Sequence, residues 1–187
     1  MKRLATTLSI ALLALSSPVL ADLSPGDAAP MFTAQASKAG KAFSYSLADA
    51  LKHGPVVLYF YPAAFTPGCT IEAHDFAAAT DKYQALGASV IGVSHDDIDK
   101  LKRFSVSECR SKFAVAADTD QHIMKAYDAV MPGRSEYANR TSYVISPDGK
   151  VIYAYTDMNP ARHVANTLEA LKKWRAEHPM KDNGQGS

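Results

Sequence analysis

The chain has 187 residues, 47% apolar and 21% charged, enough for one domain with a substantial core and of ordinary globular composition. Its 20 lysines and arginines nearly balance 19 aspartates and glutamates, for a net charge of +1. That balance excludes a strongly basic nucleic-acid binder and a polybasic membrane-surface protein. Two cysteines, Cys69 and Cys109, are too few for a disulfide scaffold and read as one reactive thiol and a second thiol of open role.

The chain opens on Lys2 and Arg3, an apolar stretch over 4–15, and Val19-Leu20-Ala21. This pattern predicts a secretory signal over 1–21, because the apolar run is too short to span a bilayer. The mature chain then starts near Asp22 and is exported, into a bacterial periplasm, with no membrane partner. A folded domain is expected over 22–178, and a disordered tail over 179–187.

A linker over 23–30 precedes two strands, 32–36 and 42–47, paired across Ser37-Lys38-Ala39-Gly40. A short helix or turn at 48–53 closes on Gly54-Pro55. The run Val56-Val57-Leu58-Tyr59-Phe60-Tyr61 is apolar throughout, as in a central strand covered on both faces. A helix over 68–86 ends at Gly87, with Ile71, Phe76, Ala79 and Tyr83 expected inward. A strand follows at 89–94. Asp96 or Asp97 caps a helix that carries Ile98, Leu101 and Phe104 and runs to about Cys109. Next come a strand at 113–117, a short helix at 120–127 and a loop at 131–139. A hairpin pairs 141–145 with 151–155 across Ser146-Pro147-Asp148-Gly149-Lys150. The closing helix, 160–177, turns Val164, Leu168, Leu171 and Trp174 inward. The order of elements predicts an α/β domain with a mixed central sheet flanked by helices.

The junction of the central strand and its helix carries the chemistry. Pro62-Ala63-Ala64-Phe65-Thr66-Pro67-Gly68-Cys69-Thr70-Ile71-Glu72 places a thiol at a helix start. Unpaired N–H groups and the helix dipole favour a thiolate there, and the Thr66 hydroxyl can reach the same spot. A nucleophile that attacks a small polar molecule suits this arrangement.

The pattern Pro62-x-x-x-Thr66-x-x-Cys69 resembles the active-site signature of the peroxiredoxins. Phe65-Thr66-Pro67-Gly68-Cys69-Thr70-x-Glu72 is similar to the bacterioferritin comigratory, or Q-type, branch. The resemblance runs from about Gly26 to Trp174. It implies a thioredoxin-like fold with an N-terminal β-hairpin extension, and thiol-dependent reduction of hydrogen peroxide and organic hydroperoxides through a cysteine sulfenic acid. Cys69 would be the nucleophile. Thr66 would hydrogen-bond the thiolate and the peroxide, and Pro62 would shield the sulfur from water. Arg140, just before the strand at 141–145, matches the family's active-site arginine, and Arg134 is the fallback. Its planar fork could hold sulfur and peroxide oxygen together. Glu72 matches the family's glutamate and could orient Arg140; an ordinary carboxylate in a first helical turn reads equally well. Tyr59, Tyr61 and Phe65 wall the pocket or belong to plain core.

The sulfenic acid must then meet a thiol. Many Q-type relatives carry a resolving cysteine where this chain has His74. Others resolve from a position matching Ser105. Cys109 is one turn further, on the same helix face but about 6 Å away. It is either a resolving cysteine or a small buried hydrophobe near a helix end. A one-cysteine cycle is favoured, drawing on a thioredoxin-like protein or a small thiol. No cofactor and no metal are expected, since Cys69 with His74 or His95 has poor ligand spacing. A monomer or weak dimer is expected. Two rivals stand beside this reading. One is an exported thiol-disulfide oxidoreductase, for which position 72 would be Cys and is Glu. The other is a non-catalytic or copper-binding module, which needs a second nearby cysteine.

Overall fold

The computed structural model describes residues 23–180; the expected signal and most of the expected tail lie outside them. Seven strands form one sheet in the order β2-β1-β5-β4-β3-β6-β7. They are β1 Thr33–Lys38, β2 Lys41–Ser46, β3 Val56–Phe60, β4 Ser89–Ser94, β5 Ala114–Ala117, β6 Thr141–Ile145 and β7 Val151–Thr156. The helices are α1 Leu47–Leu51, α2 Pro67–Ala85, α3 Ile98–Ser107, α4 His122–Ala126 and α5 His163–Glu177, with a 3-10 turn at Pro160–Arg162 before the last.

Strand β3 lies inside the sheet, parallel to β4 and antiparallel to β6, and every one of its residues is buried. Its side chains alternate between two cores. Val56, Leu58 and Phe60 pack with Leu47, Met124 and Tyr143 on the face carrying α1 and α4. Val57, Tyr59 and Tyr61 pack with Phe76, Leu101, Phe104 and Leu171 on the face carrying α2, α3 and α5. The second core is aromatic: Tyr59 stacks on Phe76 at 4.3 Å and Tyr61 on Phe104 at 5.5 Å between ring centroids. Gly92 on β4 makes room for this, because a Cβ there would lie 2.7 Å from the Tyr59 ring.

The N-terminal hairpin turns more tightly than the sequence pattern suggests. Lys38 pairs with Lys41, and Ala39 and Gly40 make the turn with φ of 51° and 76°. Its first strand also pairs with β5, so the extension is the sheet's edge. Ile71, expected inward, is 51% exposed. The buried positions of α2 are Cys69, Glu72, Ala73, Phe76, Ala77, Ala79, Thr80 and Tyr83. The helical stripe thus begins on Cys69 and Glu72 rather than on the apolar Ile71. On α5, His163 and Thr167 are buried with Leu168 and Leu171, while Val164 and Trp174 are only half-buried.

Candidate active site

Strand β3 ends at Phe60, and the loop 61–66 leads into α2. Pro67 opens the helix, where a missing N–H costs nothing and the fixed φ favours helical backbone. Cys69 is the third residue of α2, so its sulfur sits at the positive end of the helix dipole. The loop is tied from β4's end: Asp96 Oδ2 accepts from Ala64 N at 2.6 Å and from Ser94 Oγ at 2.8 Å. Lys100 Nζ holds Asp96 Oδ1 at 2.6 Å. The cap of α3 is Asp97, which leaves Asp96 free for this work.

Arg140 comes from the other neighbour of β3, immediately before β6. It is 3% exposed, and all three guanidinium nitrogens are engaged. Nη2 lies 3.6 Å from Cys69 Sγ, Nη1 pairs with Glu72 Oε2, and Nε donates to the Met158 carbonyl at 3.0 Å. The close approach needs Gly68, where a Cβ would stand 3.1 Å from Nη2. Burial alone would lower the guanidinium's pKa, but Glu72 and Cys69 raise it, so the cation is held. Burial pushes the Glu72 carboxyl up to about 8 against the pull of Arg140. One guanidinium therefore serves two acidic partners in a dry site.

Cys69, Arg140 and Glu72 are thus brought together. Thr66 precedes the helix, exposed, and its hydroxyl donates to the Ala63 carbonyl at 3.0 Å instead of to sulfur. Its lone pairs stay open, so it offers an acceptor rather than a donor. Half-buried Pro62 presents its carbonyl to His95 Nδ1 at 3.1 Å. Phe65, with φ of 68°, is 43% exposed and packs edge-on against Phe104 at 5.2 Å. Arg134 is elsewhere engaged, with Glu136 and with the face of Tyr137 at 4.2 Å.

The expected geometry of the second thiol changes. α3 stops at Ser107, and Cys109 lies beyond it, its N–H bonded to the Phe104 carbonyl. Ser105 and Cys109 do not share a helix face. Ser105 Oγ turns to the β1–β2 hairpin, contacting Ser37 Oγ and Gly40 N. Cys109 is fully buried in the aromatic core with Tyr59, Tyr61, Phe104 and Phe113. Burial, and then the Glu108 carboxylate, push its thiol pKa far up. His74 holds that carboxylate, with Nε2 2.8 Å from Glu108 Oε2.

The sequence reading missed Asp96, Ser142 and His163. Ser142 had a signal, since it follows Arg140 by two residues at the start of β6, a spacing that puts both on one side of extended backbone. Asp96 reads as a candidate cap of α3, and His163 has no signal beyond its place at the start of α5.

Residues 25–154 match the AhpC/TSA family. A chloroplastic peroxiredoxin Q of Oryza sativa subsp. japonica is 35% identical over 155 residues, covering 82% of this chain and 69% of the relative. A Bcp peroxiredoxin of Xanthomonas campestris pv. campestris is 33% identical over 122 residues, covering 63% and 76%. The crystal structure of the peroxidoxin BcpB from Mycobacterium tuberculosis superposes with a TM-score of 0.73 at 28% identity, covering 81% of this chain and 97% of that one.

Proposed function

We propose a catalytic cycle for this chain, which belongs to the AhpC/TSA family and is a thiol-dependent peroxidase of the peroxiredoxin Q and Bcp type. The fold is the thioredoxin-like fold of those relatives. The comparisons favour neither the thiol-disulfide oxidoreductase nor the copper-binding alternative.

In this cycle Cys69 attacks as a thiolate along the O–O axis of the peroxide. An S–O bond forms and the O–O bond breaks. The departing hydroxide or alkoxide takes a proton from water, and Cys69 is left as a sulfenic acid. Arg140 stabilises the negative charge that moves from sulfur to oxygen, while Thr66 accepts from the peroxide O–H and so orients it. Glu72 holds the guanidinium, and Pro62 narrows the approach to sulfur. A thiol then displaces water from the sulfenic acid to give a mixed disulfide, and a second thiol releases Cys69. The carrying observation is Arg140 Nη2 at 3.6 Å from a buried cysteine at a helix start.

The donor in this reading is a small thiol or a thioredoxin-like protein, and the substrates are hydrogen peroxide and organic hydroperoxides. The mature domain runs over 22–178 and works in a bacterial periplasm, on the strength of the N-terminal pattern alone. N-terminal sequencing of protein from its native host checks this, with Asp22 as the expected start. The cycle itself is tested by mass spectrometry after one equivalent of peroxide. A single added oxygen on Cys69 is expected, with no peroxide consumption by Cys69→Ser. Retained consumption in that variant would refute the assignment.

A further inference from the structure

His163 opens α5, wholly buried, and both ring nitrogens are engaged. Nε2 lies 2.8 Å from the Asp157 carbonyl oxygen, which can only accept, so Nε2 carries a proton. In the neutral ring Nδ1 is then an acceptor, and Ser142 Oγ donates to it at 2.8 Å. Burial, and after it Arg140, lower the imidazole's pKa and favour this neutral form; the bond to Asp157 and its charge oppose them.

The same ring stands beside the catalytic cluster. Glu72 Oε1 is 3.7 Å from Nδ1, buried, and without a hydrogen-bond partner among the described residues, while Oε2 of the same carboxylate takes Arg140 Nη1. The turn at Asp157 and Met158 completes the circuit. Its Asp157 carbonyl is held by His163, its Met158 carbonyl by Arg140 Nε, and Asp157 N donates to the Arg140 carbonyl at 3.2 Å. His163 and Arg140 thus grip one turn from two sides.

We propose that His163 is a positioning residue for peroxide reduction. With Ser142 it locks the turn at Asp157 and Met158 and backs Glu72 Oε1, and so fixes the guanidinium of Arg140 against Cys69 Sγ. The inference rests on reading Cys69 and Arg140 as the reacting pair.

A pH effect follows, because two titratable groups share the space. Ser142 faces the ring from β6, Arg140 from the residue before that strand, Glu72 from α2, and Asp157 from the turn. Tyr155 lies edge-on at 4.8 Å from β7, and Thr167 on α5 itself donates to the His163 carbonyl. His163 Nδ1 and Glu72 Oε1 lie 3.7 Å apart, so a charge gained or lost on either changes the field at the other.

The test is the second-order rate of Cys69 oxidation by hydrogen peroxide, measured across pH in wild type, His163→Leu and His163→Gln. His163→Leu should slow oxidation about tenfold through a displaced guanidinium, and should move the pH profile. His163→Gln can still donate to the Asp157 carbonyl, so it should recover to within about threefold of wild type. If His163→Leu fails to fold, Ser142→Ala removes only the donor to Nδ1 and should still shift the profile. Wild-type rate and profile in His163→Leu, or in Ser142→Ala where it stands in, would overturn the proposal. Equal losses in the Leu and Gln variants that track their melting temperatures would do so too. Wild type and Cys69→Ser run alongside: an inactive wild type would refute the reading of the site, whereas an active one matched by His163→Leu refutes this inference alone.

Discussion

Cys69 and Cys109 are equally hidden, at 1% and 0% exposure, and belong to the same core on one face of the sheet. Their surroundings differ in charge. Cys69 sits at the N-terminal end of α2 with a guanidinium 3.6 Å from its sulfur. Cys109 sits past the C-terminal end of α3, among rings and next to the Glu108 carboxylate, and its thiol is pushed up. A thiol buried among apolar groups is ordinarily inert. What separates them is where the chain places a cation and a helix start. In the proposed cycle, exposure is a poor guide to which cysteine reacts, and a cation beside the sulfur is a better one.

The comparison breaks most directly at Arg140. Arg140→Met removes the positive charge and keeps most of the packing volume. Oxidation of Cys69 in rapid-mixing experiments should slow by about 10²–10³-fold, the usual cost of losing a preorganised donor to developing charge. A near-wild-type rate would mean that the two cysteines differ for some other reason. Thr66→Val is the next step down. The hydroxyl's proton is committed to Ala63, so the loss is one acceptor for the peroxide. A net hydrogen bond of about 1–1.5 kcal/mol corresponds to roughly tenfold in the rate with peroxide, while the lost bond to the exposed Ala63 turn should lower the melting temperature only slightly.

Much of this was legible in the sequence because it is local. The apolar run 56–61, the proline that opens α2 and the glycine-rich turns announce themselves within a few residues. Cys69, Thr66, Arg140 and Glu72 could be named from a motif and a family resemblance. What the sequence hid depends on tertiary placement. Ile71 looks like core, yet the helix turns Cys69 and Glu72 inward in its place because Arg140 arrives from another strand to meet them. Asp96 reads as a helix cap and instead ties the loop before Cys69. The end of α3 two residues early takes Cys109 off the face that Ser105 keeps. Each surprise is a polar side chain whose partner lies more than twenty residues away, or a helix end set by backbone bonds.

Glu72 sharpens the comparison, since it competes with Cys69 for one guanidinium. Its carboxyl is raised from 4.5 to about 8 by burial, with Arg140 opposing. The folded state therefore holds this proton more tightly than the unfolded chain. The stabilisation is fully present below the unfolded value and is lost as pH rises through about 8. Melting temperatures of wild type should fall relative to Glu72→Gln across that window, since the amide does not titrate. Parallel curves would show that Glu72 stays ionised throughout and that Arg140 is shared at every pH.

The smallest expected effect is at Cys109. Resolution by this residue would require its thiolate to reach Cys69 and displace water from the sulfenic acid. Both requirements are opposed. Burial and Glu108 disfavour the thiolate, and the segment is pinned: His74 on α2 grips Glu108, while Arg110 and Ser111 follow in left-handed backbone with φ of 49° and 58°. Moving Cys109 to within disulfide reach of Cys69, a Cα separation of about 4.4–6.8 Å, means undoing these contacts together. Cys109→Ser should therefore keep steady-state peroxide turnover within about twofold of wild type with a small-thiol donor, a change smaller than one net hydrogen bond. It should lower the melting temperature, because a hydroxyl replaces sulfur in an apolar cluster. Non-reducing peptide mapping of oxidised wild type should find Cys69 bonded to the donor and Cys109 free. A stoichiometric Cys69–Cys109 bridge with lost turnover in Cys109→Ser would make the buried thiol a working partner, and would place the energetic cost of resolution in local opening of the α3 end rather than in the supply of an outside thiol.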